Sequence, residues 1–500
     1  GPIAAQPLSR YAPILGEESV QQHLALAAAA RERFHGRAIW NLSSTARGGG
    51  VAEMLAALLP YVRGVGVDMV WLVVEAEPEF FALTKRLHHA LHGSPGDGRP
   101  LDDDARQLYE AALKPELQSL KGVVQENDIV LLHDPQTAGL IPGLIEHGAK
   151  VIWRCHVGQD GNDAEQDAGW AFLAPYVSLA HATVFSRRSF VPACCDSERD
   201  VVIHPSIDPF APKNQQLAAP VVEAILGSSG LLRGVETDAL PLFALPDGSP
   251  SRVVRAAALE ELEVAPSADV PLIVQVSRWD PLKDPVGVIG GFRAMLDGGR
   301  GADAHLMIAG PDPTSVTDDP EGLSTYQSVV AAREELPDEI RHRVHLACLP
   351  MDDLEENAAI VNALQRHATI IVQKSLAEGF GLTVTEGMIK GRPVVASAVG
   401  GILEQITDGE TGKLLSRPDD PEEFASTVGT VLGDRALAAR LGAAAERRAT
   451  EHFTGLRSLR QYAELLTAVD QYGAPRRPGL SARVRGMLRR RRLPLAGDRG

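Results

Sequence analysis

Cysteine is scarce: the 500 residues hold four, Cys155, Cys194, Cys195 and Cys348. None has the spacing of a zinc site and adjacent cysteines rarely bridge, so a disulfide framework is not expected and a reducing, cytoplasmic setting is. Aromatic residues are only 5% of the chain, which leaves the core to aliphatic side chains and alanine. No apolar run reaches the ~18 residues of a membrane-spanning helix, so no membrane span is expected. The start, Gly1-Pro2-Ile3, has neither a basic nor an apolar leader segment, so no secretory signal is expected. Positive charge is in deficit: 49 Lys and Arg stand against 65 Asp and Glu, net −16, which argues against nucleic acid as a partner of the whole chain. The exception is 474–500, with nine Arg and one acid, read as a basic, disordered tail, with an anionic-surface or nucleic-acid contact as the alternative. Gly-x-Gly-x-x-Gly and Walker A patterns are absent, and no cluster of metal-ligating residues is visible. No cofactor is expected to be required, and metal dependence is left open.

What is present is alternation. Apolar strand candidates fall at 38–42, 69–74, 128–132, 150–153, 182–185 and 201–203, with helical periodicity between them, as in 104–120. The pattern restarts with strands at 271–276, 304–308, 343–346, 369–372 and 393–396 and helices at 286–295 and 352–365. Such alternation implies an α/β chain with two doubly wound parallel sheets facing a cleft, ligands sitting at the carboxyl ends of the strands. The expected division is 1–255 for the first domain, 256–450 for the second, 451–473 for a helix packing back on the first, and 474–500 for the tail. The stretch 210–250, rich in Pro, Gly and Ser, reads as an insertion.

The richest motif is Glu378-Gly379-Phe380-Gly381-Leu382-Thr383 with Glu386. A strand, a Gly-containing turn and a helix start make an anion site, because free backbone N–H groups and the helix dipole point at one spot. Two acids flank that site. Acids do not bind phosphate, so they suit hydroxyls of a sugar and of a ribose, and the ligand reads as a nucleotide sugar. Arg278 and Lys283 follow the strand 271–276 and suit a diphosphate, unless they only pair with Asp280 and Asp284. His133-Asp134-Pro135-Gln136 and His156 end two neighbouring strands, where a histidine can position a hydroxyl or serve as a structural residue. Gly48-Gly49-Gly50 lies between a strand and a helix and reads as either a phosphate loop or a flexible turn. Glu53 opens that helix, where an acid suits the dipole with or without a ligand. Lys85 and His88-His89 could line a sugar pocket or form a solvated helix face.

Together these residues resemble retaining glycosyltransferases with two Rossmann-like domains, the GT-B architecture of group 1 (family 4). Within that superfamily the chain is most similar to the trehalose glycosyltransferring synthases. The likeness is carried by 44–55, 79–85, His133-Asp134-Pro135-Gln136, Trp153-Arg154-Cys155-His156 and 276–285. Two departures fall in the acceptor half: Val157-Gly158 follows His156 where the family has an apolar residue and Asp, and His88-His89 replaces His-Asn.

The resemblance implies a hexosyltransferase that moves glucose from ADP- or UDP-glucose to free glucose, forming trehalose with retention. Arg278, Lys283, Glu378 and His156 would be catalytic. Gly49, Gly50, Phe380, Gly381, Leu382, Thr383 and Glu386 would bind the donor, and His133, Asp134, Gln136, Lys85 and Glu53 the acceptor. A homodimer is implied as well. The alternatives are another acceptor (sugar, polyol or natural-product aglycone), a glycoside hydrolase using two carboxylates, or a non-catalytic sugar-nucleotide-binding protein. Phosphate-binding neighbours beside the acids speak against the hydrolase, which has no need of them.

Overall fold

A computed structural model describes residues 5–46, 50–161, 163–195, 198–259, 264–314 and 320–472. Gly49 and the Arg-rich tail lie outside the described residues. Contacts divide the chain into two compact units.

One unit takes Ala25–Glu53, Val65–Ile203 and the chain from Arg460. Its sheet is β1 (Ile39–Ser43), β2 (Met69–Val73), β3 (Ile129–His133), β4 (Lys150–Cys155), β5 (Ala182–Phe185) and β6 (Asp200–Val202), in the order β2-β1-β3-β4-β5-β6. Every pair is parallel. Strands β3 and β4 are buried on both faces except at Lys150. That explains why they read as unbroken apolar runs in the sequence. Their burial extends to the polar ends, His133 and Arg154, and this is what places two polar side chains at the carboxyl edge of the sheet. The chain from Arg460 supplies Asp470, whose carboxylate meets Arg33 at 2.9 Å and Arg37 at 2.6 Å.

The other unit takes the chain up to Leu24, Met54–Gly64 and His204–Leu459. A small antiparallel hairpin pairs β7 (Leu242–Ala244) with β8 (Pro250–Arg252). The main sheet contains β9 (Ala258–Leu259), β10 (Leu272–Val276), β11 (His305–Pro311), β12 (Val344–Leu349), β13 (Ile370–Gln373), β14 (Val394–Ser397) and β15 (Lys413–Leu415). The order is β15-β14-β13-β10-β11-β12-β9, parallel except for the β9 edge. Residues 204–255, expected with the first domain, pack with this sheet. The helix Ala219–Ser228 lies against the helix Leu354–His367, and Val222, Ile225 and Leu226 share one core with Ile360 and Leu364. An apolar face of that helix therefore decides the boundary, although its flanks have the composition of a loop. The helices Pro421–Gly433, Arg435–His452 and Gly455–Gln471 follow, as the helical periodicity after Pro421 implies. Among the described residues no helix is long and apolar enough to cross a membrane.

Candidate functional site

Strand β10 ends at Val276, and the chain turns through Arg278 and a buried Trp279 whose indole donates to the Pro311 carbonyl at 2.7 Å. Asp280 then caps a single 3₁₀ turn, accepting from the Leu282 amide at 2.8 Å. That turn aims Lys283, whose Nζ lies 2.5 Å from Glu378 Oε2; the two side chains are 18% and 10% exposed. Ser375 Oγ donates to the same carboxylate oxygen at 3.2 Å. The adjoining Asp284 adopts a left-handed backbone, φ 48°, caps the helix Pro285–Asp297 and pairs with the buried Lys374. Gln275 ties the two loops together, donating to the Lys283 carbonyl at 3.0 Å and accepting from the Lys374 amide at 3.2 Å. Removing Asp284 would leave the buried Lys374 ammonium without its ion-pair partner, at a cost of roughly 3–5 kcal/mol, so the pair ties together the strand ends that carry Lys283 and Glu378.

Gly381, at φ 83°, opens the helix Leu382–Ile389. The first N–H groups of a helix have no intrahelical partner, so the Leu382 and Thr383 amides are presented at this point. The turn is braced by Gln405, which donates to the Phe380 carbonyl at 2.5 Å and accepts from Thr385 Oγ1 at 2.5 Å. Thr383 Oγ1 donates to Gln373 at 3.0 Å. One turn further along, Glu386 is 2% exposed. Lys213 Nζ lies 3.4 Å from Glu386 Oε1, while Oε2 has no partner among the described residues. Lys390 donates to the Glu386 carbonyl at 3.0 Å and to Gln365 at 2.7 Å. Burial pushes the Lys390 ammonium well below its ordinary pKa, and Glu386 opposes the shift.

In the unit with the six-stranded sheet, β3 ends at His133 and β4 runs into His156. Their rings stack with centroids 5.4 Å apart, and His133 Nδ1 lies 3.1 Å from His156 Nε2. His133 Nε2 is 3.2 Å from Asn41 Oδ1, and Arg154 Nε is 3.3 Å from His156 Nδ1. Asp134, at φ 64°, accepts from the His156 amide at 2.6 Å. Burial, then Arg154, holds His133 down at about 3 and His156 well below the ordinary histidine value. Burial also pushes the Asp134 carboxyl up to about 7, against the lowering effects of the His156 amide and Arg154. Both imidazoles are therefore neutral at physiological pH.

The structure thus joins Lys283 with Glu378 directly and places Gly381, Leu382, Thr383 and Glu386 on the neighbouring helix start. Arg278 stands in the same loop, 62% exposed at its side chain and 3.3 Å from Asp280. Phe380 is buried and stacks on His204, with centroids 6.1 Å apart. His133, expected at the acceptor, is 2% exposed with both ring nitrogens engaged. Gln136 keeps a buried Oε1 without a partner among the described residues. Lys85 and Glu53 are exposed on the helices Pro78–Leu91 and Gly50–Gly64, and Gly50 begins the latter. Sequence reasoning passed over Asn41, Lys213, Lys374 and Tyr462. Lys374 carried a readable signal, a lysine closing an apolar strand; the others reach their partners only through tertiary folding.

A family model described as "Trehalose synthase, N-terminal domain" matches residues 41–192, and one described as "Glycosyl transferases group 1" matches 261–448. A trehalose synthase of Pyrococcus horikoshii is 32% identical over 92% of this chain and 96% of its own length. The chain belongs to the trehalose synthase family of glycosyltransferases. As a group 1 glycosyltransferase it has the GT-B class of fold, and solved structures agree on that fold. An α,α-trehalose-phosphate synthase (UDP-forming) from Burkholderia vietnamiensis superposes with a TM-score of 0.62 at 13% identity, over 86% of this chain and 100% of that one. Anabaena Alr3699/HepE, solved in complex with UDP and glucose, gives 0.55 at 13% identity, over the same shares. The motifs at 278–283 and 378–386 fall within the group 1 match, and those at 133–136 and 153–156 within the trehalose synthase match.

Proposed function

We propose that this enzyme transfers glucose from a nucleoside diphosphate glucose, ADP- or UDP-linked, to glucose with retention of configuration, forming trehalose. The observation that carries the proposal is the Lys283–Glu378 pair, 2.5 Å apart beside the helix start at Gly381. A hydrolase has no use for a half-buried lysine held against its carboxylate next to presented amides, whereas a donor with both phosphate and sugar needs all three. The relatives' trehalose chemistry supports the same reading.

In this mechanism Arg278 and Lys283 bind the diphosphate and stabilise the charge that grows on it as the glycosidic bond breaks. Fixed cations there act most strongly in the transition state. The Leu382 and Thr383 amides assist. Glu378, oriented by Lys283 and Ser375, holds hydroxyls of the transferred sugar. Glu386 holds the ribose hydroxyls, one of which satisfies the unpartnered Oε2. His156 orients the sugar near the reacting carbon, Asp134 and Gln136 bind the acceptor, and Lys85 and Glu53 lie at its periphery. The leaving phosphate takes the acceptor's proton, and attack from the same face retains configuration.

The test is a panel of nucleoside diphosphate glucoses against several acceptors, with the product's linkage and anomeric configuration assigned by NMR. Formation of α,α-trehalose from free glucose supports the proposal; turnover only with other acceptors, or an inverted product, removes it. One observation favours a different acceptor as the second reading. The family's Asp after His156 and an apolar residue is Gly158 here, and a Cβ at that position would lie 2.6 Å from the Phe190 ring. Phe190 is buried in the space that side chain would need. The acceptor half is therefore repacked where the family carries a carboxylate.

A further inference from the structure

The hydrogen-bond chain through His156 and His133 has only one possible direction. Arg154 Nε carries a hydrogen and no lone pair, so at 3.3 Å it makes His156 Nδ1 an acceptor. A neutral imidazole has a single N–H, which places the His156 proton on Nε2, 3.1 Å from His133 Nδ1. His133 Nδ1 then accepts, its own proton sits on Nε2, and Asn41 must present its amide oxygen at 3.2 Å. The reverse direction fails, because a donating Asn41 nitrogen would force His133 Nδ1 to donate and leave the His156 ring without any N–H. Burial and the neighbouring guanidinium disfavour a second proton on either ring.

Arg154 is itself held rigidly. It is 0% exposed, its Nη2 donates to the Ile203 carbonyl at 3.0 Å, and its Nη1 donates to the Tyr462 hydroxyl. We propose that Arg154 is a positioning residue that locks His156 and His133 into one tautomer, the Nε2–H form. His156 then keeps a fixed orientation and takes no part in proton transfer. The role in transfer rests on the reading that His156 lies beside the transferred sugar; the tautomers do not. With both ring nitrogens of His156 engaged, it can neither accept the acceptor's proton nor donate one to the leaving group. The proton is left for the departing phosphate, which is the step that retention from one face requires.

The test is ¹⁵N NMR of the intact enzyme with labelled histidine, recorded without sugar nucleotide. The two rings are assigned by the signals lost in His133→Gln and His156→Gln. The expected spectrum at neutral pH shows protonated Nε2 and bare Nδ1 on both rings; an Nδ1–H on either ring overturns the proposal. Arg154→Met and Arg154→Lys both remove the Nε donor. In each, a population of His156 protonated at Nδ1 should appear. In each, kcat should fall about 10- to 100-fold, the scale of a misplaced reacting group, with the donor KM within about twofold. Variants that fold and keep both the wild-type tautomer and the wild-type kcat also overturn it, and if neither variant folds the wild-type spectrum alone decides. The spectra need no substrate, so an enzyme with the predicted tautomers but no glucosyl transfer would sink the proposed function and leave this inference standing.

Discussion

Each of the two sheets carries a stacked histidine pair, and only one pair has the marks of a site. His133 and His156 stack at 5.4 Å with rings 20° apart; His305 and His345 stack at 5.2 Å and 4°, with Nδ1 to Nε2 at 2.9 Å. Burial lowers all four, His133 and His345 both to about 3 and His305 to about 4. A depressed histidine pKa is therefore no label for function in this molecule, though such shifts cluster at sites in general. What separates the pairs is the strand end. His133 closes β3 and His156 follows β4, at carboxyl ends, where ligands bind in doubly wound sheets. His305 opens β11, and His345 is the second residue of β12, at amino ends. A buried arginine neighbours both pairs, Arg154 the first and Arg333 the second, so the arginine does not separate them either; the left-handed Asp134 lies at the first.

The largest effect should come from the carboxyl end of the other sheet. Lys283→Ala should lower kcat/KM for the nucleotide sugar by about 10²–10³-fold, the usual loss when one transition-state cation or donor is removed. Steady-state kinetics checks it, and near-native turnover would remove the phosphate role. The histidine comparison comes next. His156→Ala should reduce kcat about 10- to 100-fold through lost orientation. His345→Ala should leave kcat within about twofold and cost about 1–2 kcal/mol in urea unfolding, because it loses a buried hydrogen bond and packing. Equal effects on activity would break the distinction drawn between strand ends. Glu386→Ala should mainly weaken donor binding, by about tenfold by calorimetry, the worth of one charge-assisted hydrogen bond.

The smallest effects are in the pH dependence of stability, and their signs differ within the site. The unfolded chain protonates histidine near 6.5 while folded His133 and His345 wait until about 3. Stability from these groups is thus fully present above 6.5 and is lost as pH falls toward 3. Asp134 runs the other way: raised from 3.8 to about 7, it gives stability at low pH that is lost as pH rises through about 7. Across pH 4 to 6.5, roughly, the urea midpoint should therefore rise less steeply with pH in His345→Phe than in wild type, and more steeply in Asp134→Asn. Each change is bounded by about 1.4 kcal/mol per pH unit per group.

Much of this was legible in the sequence because β3, β4, β10 and β13 are buried on both faces and read as continuous apolar runs. Their carboxyl ends, and so His133, His156, Lys283 and Glu378, follow within a few residues. Contacts that join distant segments were not legible. Lys283 meets Glu378 only because β10 and β13 are neighbours in the sheet, Ile273 beside Ile370. Lys213 reaches Glu386 because Asn362 and Arg366 hold the carbonyls of Pro212, Asn214 and Gln215, and Tyr462 meets Arg154 across 308 residues of chain. The helix Ala219–Ser228 was hidden by its Pro- and Gly-rich flanks, and β15 by its three-residue length.

The central claim is that a pyrophosphate-linked sugar is gripped where Lys283 meets Glu378. Crystals soaked with a nucleoside diphosphate glucose test it most directly. The pyrophosphate should lie within hydrogen-bond distance of Arg278 and Lys283, with the ribose against Glu386. A well-ordered donor bound away from all three would contradict the account.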